Sequence, residues 1–295
     1  MSSHSSSENR AVWQALLVTV LWSSSWVLIK FGLGNIPPLT FAGLRYTLAF
    51  ALLLPVLLRG GRLAELRALS RRDLLFLFVL GLVYYTATQG LQFVGLSLLP
   101  ANTLSLMLTL SSLTIALAGL WLLGERMRGL QWLGVLVSIA GALVYFGNIE
   151  GLAGLGLLVG VLAVLFNTAG AILTRSINRT AHISPLLVTV VSMGVGSLCL
   201  LLTGLLTETW AALRWQDVLI IFWLAAVNTA FAFTLWNHSQ RILSAAQASV
   251  INNTMLIQIA ILAWVFLGER PSTWQMLGMA VAAVGAVMVQ LRPRA

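Results

Sequence analysis

The chain has 295 residues, of which 59% are hydrophobic and 8% charged, with a formal net charge of +9. Soluble globular proteins carry about a quarter charged residues, so this chain cannot clothe a water-facing surface, and its mean hydropathy of +0.94 sets it in lipid. A helical crossing takes about 20 apolar residues, and ten crossings leave no room for a water-soluble catalytic domain.

A Ser-rich stretch over residues 1–10 reads as a disordered cytoplasmic tail. Ten predicted spans follow: Ala11–Leu33, Leu39–Leu58, Leu74–Val94, Asn102–Leu123, Leu130–Gly147, Leu152–Leu173, Pro185–Leu206, Val218–Trp236, Ala245–Leu267 and Thr273–Leu291. The first apolar run is too long for a signal-peptide core and lacks a small-residue cleavage site, so it is expected to stay as a helix. Pro37-Pro38, the basic segment from Arg59 to Asp73, Gly124-Glu125-Arg126, Gly147-Asn148, Ser184-Pro185 and Gly268-Glu269-Arg270-Pro271 punctuate the spans.

Alternate connections differ sharply in charge. Thirteen arginines fall on one side, from Arg10 through the Arg59–Arg72 cluster to Arg294, against Lys30, Arg214 and Arg270 on the other. The positive-inside rule then puts both termini in the cytoplasm. Because the basic excess sits in short loops rather than in a domain, it speaks for topology and against a nucleic-acid partner. The lone cysteine, Cys199, excludes disulfides and multi-cysteine metal sites.

A shift of 144 residues lays 73–147 on 217–291 with 21 identities in 75 positions, Gly124-Glu125-Arg126 falling on Gly268-Glu269-Arg270. Chance in so Leu- and Ala-rich a chain gives roughly 10%. Asp73, Gln131, Gly134 and Gly141 likewise meet Asp217, Gln275, Gly278 and Gly285. A five-helix unit is odd, so its second copy enters the membrane inverted, putting Glu125 at the cytoplasmic face and Glu269 outside. Inverted repeats mark secondary transporters, whose substrate site lies near the midplane.

The opening LLVTVLWSSSWVLIKFGLGNIPPLTFAGLRYTLAFALLLP, and the two copies of L-G-E-R followed by Q-x-L-G and G-A, resemble EamA-type members of the drug/metabolite transporter superfamily, most of all the YddG-type amino-acid exporters. The resemblance implies an all-α polytopic fold in which residues 11–148 and 149–291 form two inverted five-helix repeats around a central cavity, with a short cytoplasmic tail at 292–295. It also implies a multi-pass bacterial inner-membrane protein that exports amino acids or related metabolites. The family usually has proline in the fourth helix of each repeat, where this chain has Ser112 and Leu256. A bend in the first copy must then come from hydroxyl back-bonding by Ser111, Ser112 and Thr114, or be milder.

All eight carboxylates map to tails, loops or span ends, so no buried acid is expected to couple protons, and the expected mode is facilitation or exchange. The polar groups at mid-membrane depth are neutral or aromatic: Trp22, Ser23, Tyr85, Gln89, Ser111, Asn167, Asn252 and Asn253. Amides and hydroxyls in hydrocarbon turn inward, so these eight are the expected cavity lining, suited to zwitterions. The simpler alternative for any one of them is interhelical glue. The resemblance adds weight to Tyr85, Ser111 and Asn167, which align with positions that supply cavity aromatics in YddG-type relatives.

Arg45, well inside its span, and Lys30 are candidates to attract a carboxylate, although packing or snorkelling to the outer interface is the simpler account of Arg45. Glu125 and Glu269 read as helix-end caps or ion pairs, or as gates on opposite faces. Gly134, Gly141, Gly278 and Gly285 are expected to admit close helix contact.

The expected protein is a monomeric carrier of a small-molecule substrate in a lipid bilayer, with no cofactor, metal or catalytic residue. A lipophilic-drug or nucleotide-sugar carrier of the same fold is the nearest alternative. The first favours a buried acid and the second several inward cations, neither of which the sequence provides. A lipid-modifying enzyme lacks paired His, Asp or Glu at an interface, and a non-transporting structural or sensory subunit predicts no solute flux.

Overall fold

In the computed structural model the described residues are 2–59, 63–123, 127–147, 154–180, 183–209, 212–240, 242–243 and 245–290. Ten helices among them are long and apolar enough to cross a membrane: α1 Asn9–Gly32, α2 Pro38–Arg59, α3 Arg71–Leu98, α4 Ala101–Leu122, α5 Gly129–Phe146, α6 Gly154–Ile177, α7 Pro185–Thr207, α8 Trp215–Trp236, α9 Val250–Leu267 and α10 Thr273–Gln290. Each matches an expected span to within a few residues. The first helix itself begins at Ser2, and so includes residues expected to form a tail. No described residue is in a strand.

The chain divides into two compact units that do not coincide with its sequence repeats. The first comprises Met1–Leu28, Leu98–Leu157 and Phe231–Ala295, and the second Ile29–Ser97 and Leu158–Ala230. Each draws helices from both repeats.

In the first unit α5 packs on its repeat equivalent α10, and glycines are the reason. A Cβ on Gly134 would stand 2.8 Å from the Gly285 carbonyl, and one on Gly278 2.7 Å from that of Gly141. The four glycines meet crosswise, so the two backbones touch where any side chain would hold them apart. Ser138 donates to the Ala282 carbonyl at 3.3 Å along the same seam. Tyr145, 1% exposed, closes it against Leu106, Leu256 and Met279.

In the second unit α2 packs on α7, again its repeat equivalent. A Cβ on Gly204 would stand 2.5 Å from the Thr40 nitrogen, and Gly43 lies as tightly on Leu201. Phe41 and Phe93 meet edge to face at 5.2 Å beneath this contact.

Two spans depart from α-geometry at related places. Residues Gly81–Thr88 of α3 and Ala226–Phe231 of α8 are π-helical. Threonine hydroxyls sit in the widened turns, Thr88 donating to the Val83 carbonyl and Thr229 to the Leu224 carbonyl, each five residues back. Wide turns of this kind are often found at functional sites.

In α4 the helix is interrupted at Leu110, between Ala101–Thr109 and Ser111–Leu123. Of the three hydroxyls expected to back-bond here in place of the family's usual proline, Ser112 and Thr114 do so and Ser111 does not. Ser112 donates to the Thr109 carbonyl at 2.9 Å and Thr114 to that of Ser111 at 3.0 Å. Such back-bonds loosen the ladder and bend helices. The helix Ala245–Leu267, carrying Leu256 at the corresponding place, runs unbroken.

Candidate functional site

Carboxylates at the span ends tie helices together. Glu208, after α7, accepts from the backbone N–H groups of Leu39 and Thr40 at 2.9 and 2.8 Å, and from the Thr40 hydroxyl at 2.8 Å. Glu65 accepts from the N–H of Ser184, 144 residues beyond Thr40 in sequence, at the start of α7. Glu269 accepts from Ala101 and Asn102 at 2.8 and 3.1 Å, at the start of α4. Each acid therefore caps the positive end of another helix, where free N–H groups and the helix dipole favour an anion.

Gly268 explains the first half of the Gly-Glu-Arg motif. Its φ of 68° ends α9 in the left-handed conformation and turns the chain so that Glu269 follows. Of the two readings offered for Glu269, the observed contact is a cap on a neighbouring helix. Glu125, its repeat counterpart, lies outside the described residues.

The repeat pair Asp73 and Asp217 has the same physical origin. Both are third residues of their helices, and each accepts from the N-cap backbone, that of Ser70 at 3.1 Å and that of Arg214 at 2.9 Å. Asp217 also pairs with the Arg214 guanidinium at 3.1 Å, and this contact holds Arg214 above its ordinary basicity. Asn35 donates to Asp217 at 2.6 Å.

Within the first unit the expected lining residues take part in separate sets of contacts. Trp22 stands tilted against Phe233 and Trp236, with ring centroids 5.5 and 5.3 Å away. Ser23, fully buried on the next face of α1, donates at 2.9 Å to Gln258 Oε1 of α9. Gln258 in turn donates to the Thr19 and Thr254 hydroxyls at 3.1 and 3.0 Å. Asn253 donates to Gln290 at 3.4 Å, and Asn252 beside it is half-buried. Ser111 is buried at the break in α4, and its hydroxyl has no hydrogen-bond partner among the described residues.

A separate cleft of about 350 Å³ in this unit is lined by Leu110, Leu113, Leu117, Ile139 and Phe146, among others. Its lining is too apolar to hold a zwitterion.

Within the second unit Tyr85 and Gln89 are brought together, but through Tyr46. The Tyr46 hydroxyl donates to Gln89 Oε1 at 2.6 Å, and its ring meets Tyr85 edge-on at 5.8 Å, with Tyr84 edge-on to Tyr85 at 5.3 Å. Arg45, 6% exposed, places its guanidinium over the Tyr46 ring at 5.0 Å and donates from Nε to the Thr229 hydroxyl at 3.3 Å.

The depth of that contact bears on Arg45. At 1.5 Å per residue, Arg45 starts roughly 10 Å into α2 while Thr229 lies roughly 20 Å into α8. Both helices start on the face assigned as external, so the side chain reaches inward. Tyr46 and the π-helical turn of α8 offer the guanidinium a polar and aromatic seat. Lys30 and Asn167 are half-buried in the same unit.

Sequence reasoning missed Tyr46, Gln258 and Thr229. Gln258 was detectable as an amide within an apolar run, as Asn252 and Asn253 were. Nothing local marks Thr229, whose role depends on the widened turn.

Ten apolar helices, with polar and aromatic side chains among their buried residues, define a polytopic α-helical membrane protein. Two consecutive matches to the EamA-like transporter family, at residues 9–147 and 154–291, cover almost the whole chain, which belongs to that family.

The chain is 30% identical over 200 residues to an uncharacterized Bacillus subtilis transporter, YvbV, covering 67% of this chain and spanning 64% of that protein's length. It is 29% identical over 236 residues to a probable amino-acid metabolite efflux pump of Escherichia coli, covering 75% of each. It is 26% identical to a probable terminal-alkyne amino-acid exporter of Streptantibioticus cattleyicolor, over 96% of this chain and 94% of the other. A crystal structure at 22% identity superimposes with a TM-score of 0.69 over 96% of this chain and 97% of its own, a likeness of fold.

Proposed function

We propose that this transporter carries small organic solutes, amino acids first among them, out of the cytoplasm across a bacterial inner membrane by alternating access. The observation that carries the reading is the character of the inward polar groups. In each unit they are hydroxyls, amides and aromatic rings, joined in the second unit by one guanidinium, and groups of this kind hydrogen-bond a zwitterion while tolerating varied side chains. The names of two relatives, an amino-acid metabolite efflux pump and an amino-acid exporter, support the same substrate class.

No Asp or Glu lies deeper than the third residue of a span. Those whose contacts are described cap helices, which supports a facilitator or exchanger over a proton-coupled pump. The test is counterflow of labelled amino acids into liposomes holding the purified protein. Saturable counterflow is expected, and is expected to persist when the proton gradient is collapsed. Folded protein that moves no amino acid under any gradient would discard the substrate class. Strict dependence on the gradient would discard the uncoupled mode alone.

A further inference from the structure

We propose that the Arg45 guanidinium receives the carboxylate of the transported solute and so makes the carrier prefer acids to the corresponding amines. The proposal rests on the amino-acid reading above and assigns one half of the zwitterion to a named group.

The argument starts from what Arg45 lacks. A buried charge in a membrane helix normally has an opposite charge or a full set of hydrogen bonds beside it. Arg45 is 6% exposed, yet it makes one hydrogen bond, 3.3 Å long, to a Thr229 hydroxyl that itself donates to the Leu224 carbonyl. Among the described residues no carboxylate pairs with it and no group accepts from its terminal nitrogens.

What Arg45 does have is orientation. The Tyr46 ring lies under the guanidinium at 5.0 Å, and that ring is held by its hydroxyl on Gln89 at 2.6 Å and by the edge of Tyr85. Nε on Thr229 sets the remaining rotation. A planar fork fixed in this way, with its outer N–H groups unused, matches the two oxygens of a carboxylate. Aromatic neighbours keep the fork available, since they attract its charge without using its donors.

The test compares leucine, leucine methyl ester and isoamylamine as competitors of labelled leucine counterflow in liposomes. In the wild type the free acid is expected to compete at least about 10-fold better than the other two. Arg45→Gln is expected to raise the half-saturation concentration for leucine by about 10- to 100-fold and to abolish the preference for the acid. Arg45→Lys, which keeps the charge without the fork, should fall between.

Equal competition by acid, ester and amine in the wild type overturns the proposal, and needs no variant to fold. A fall in acid and amine uptake by the same factor in Arg45→Gln overturns it too, since that is the mark of a purely structural arginine. Wild-type counterflow without acid preference removes this proposal alone, whereas absence of any amino-acid counterflow removes the reading beneath it as well.

Discussion

Gln258 shows how an amide is kept inside a membrane helix. Its nitrogen donates to two threonines and its oxygen accepts from Ser23, so both ends of the amide are engaged. Each such bond in a membrane interior is worth about 0.6 kcal/mol on average and up to about 1.7. Replacing Gln258 by Leu is therefore expected to destabilise the protein by about 1–2 kcal/mol and to lower its Tm in detergent by several degrees. An unchanged Tm would mean that the network contributes nothing. The neighbouring Ser23 is legible in the sequence as a polar group at membrane depth. Its partner, 235 residues away, is not, because composition tells that a hydroxyl must turn inward but not what it meets.

Helices in this protein meet where side chains are missing. Gly141 and Gly278 each have backbone of the other within 2.7 Å of a would-be Cβ, and backbone cannot swing aside as a flexible side chain can. Overpacking a tight contact costs about 1–3 kcal/mol and sometimes more. Gly141→Leu and Gly278→Leu should fall at or above the upper end, and either should broaden the monodisperse peak on size-exclusion chromatography. Gly129, whose Cβ would meet nothing within 4 Å, serves as the control, and Gly129→Ala should leave the peak unchanged. Equal behaviour of all three would refute the seam. The glycine spacing was visible in the sequence, and the structure identifies the partner as the other repeat's glycines. The π-helical turns in α3 and α8 were not visible, since a π-turn differs from an α-turn in hydrogen-bond register, and hydropathy has no period that reports it.

At the scale of the whole molecule, loop contacts bear on topology. Glu208 with Thr40, and Asp217 with Asn35, join loops that the charge bias assigns to the outside, and Glu65 with Ser184 joins two assigned to the cytoplasm. Glu269 with Ala101 joins two more external ones. A span miscounted by one would have set these partners on opposite faces. With Cys199 replaced by Ala, a cysteine at exposed Ala212 should react with a membrane-impermeant maleimide added outside intact cells, and one at Arg67 only after permeabilisation. The reverse pattern would invert the orientation.

What the amino-acid sequence determined by itself was the number of crossings, the doubled plan and the confinement of acids to tails, loops and span ends. These depend on hydropathy and charge, which each segment carries whatever its neighbours are. Only the tertiary structure decided that compact units cut across the repeats, that Glu65, Glu208 and Glu269 each cap a helix other than the one they adjoin, and that Arg45 meets Tyr46 and Thr229. Such contacts join residues far apart in the chain, and their geometry exists only once backbones have closed on one another.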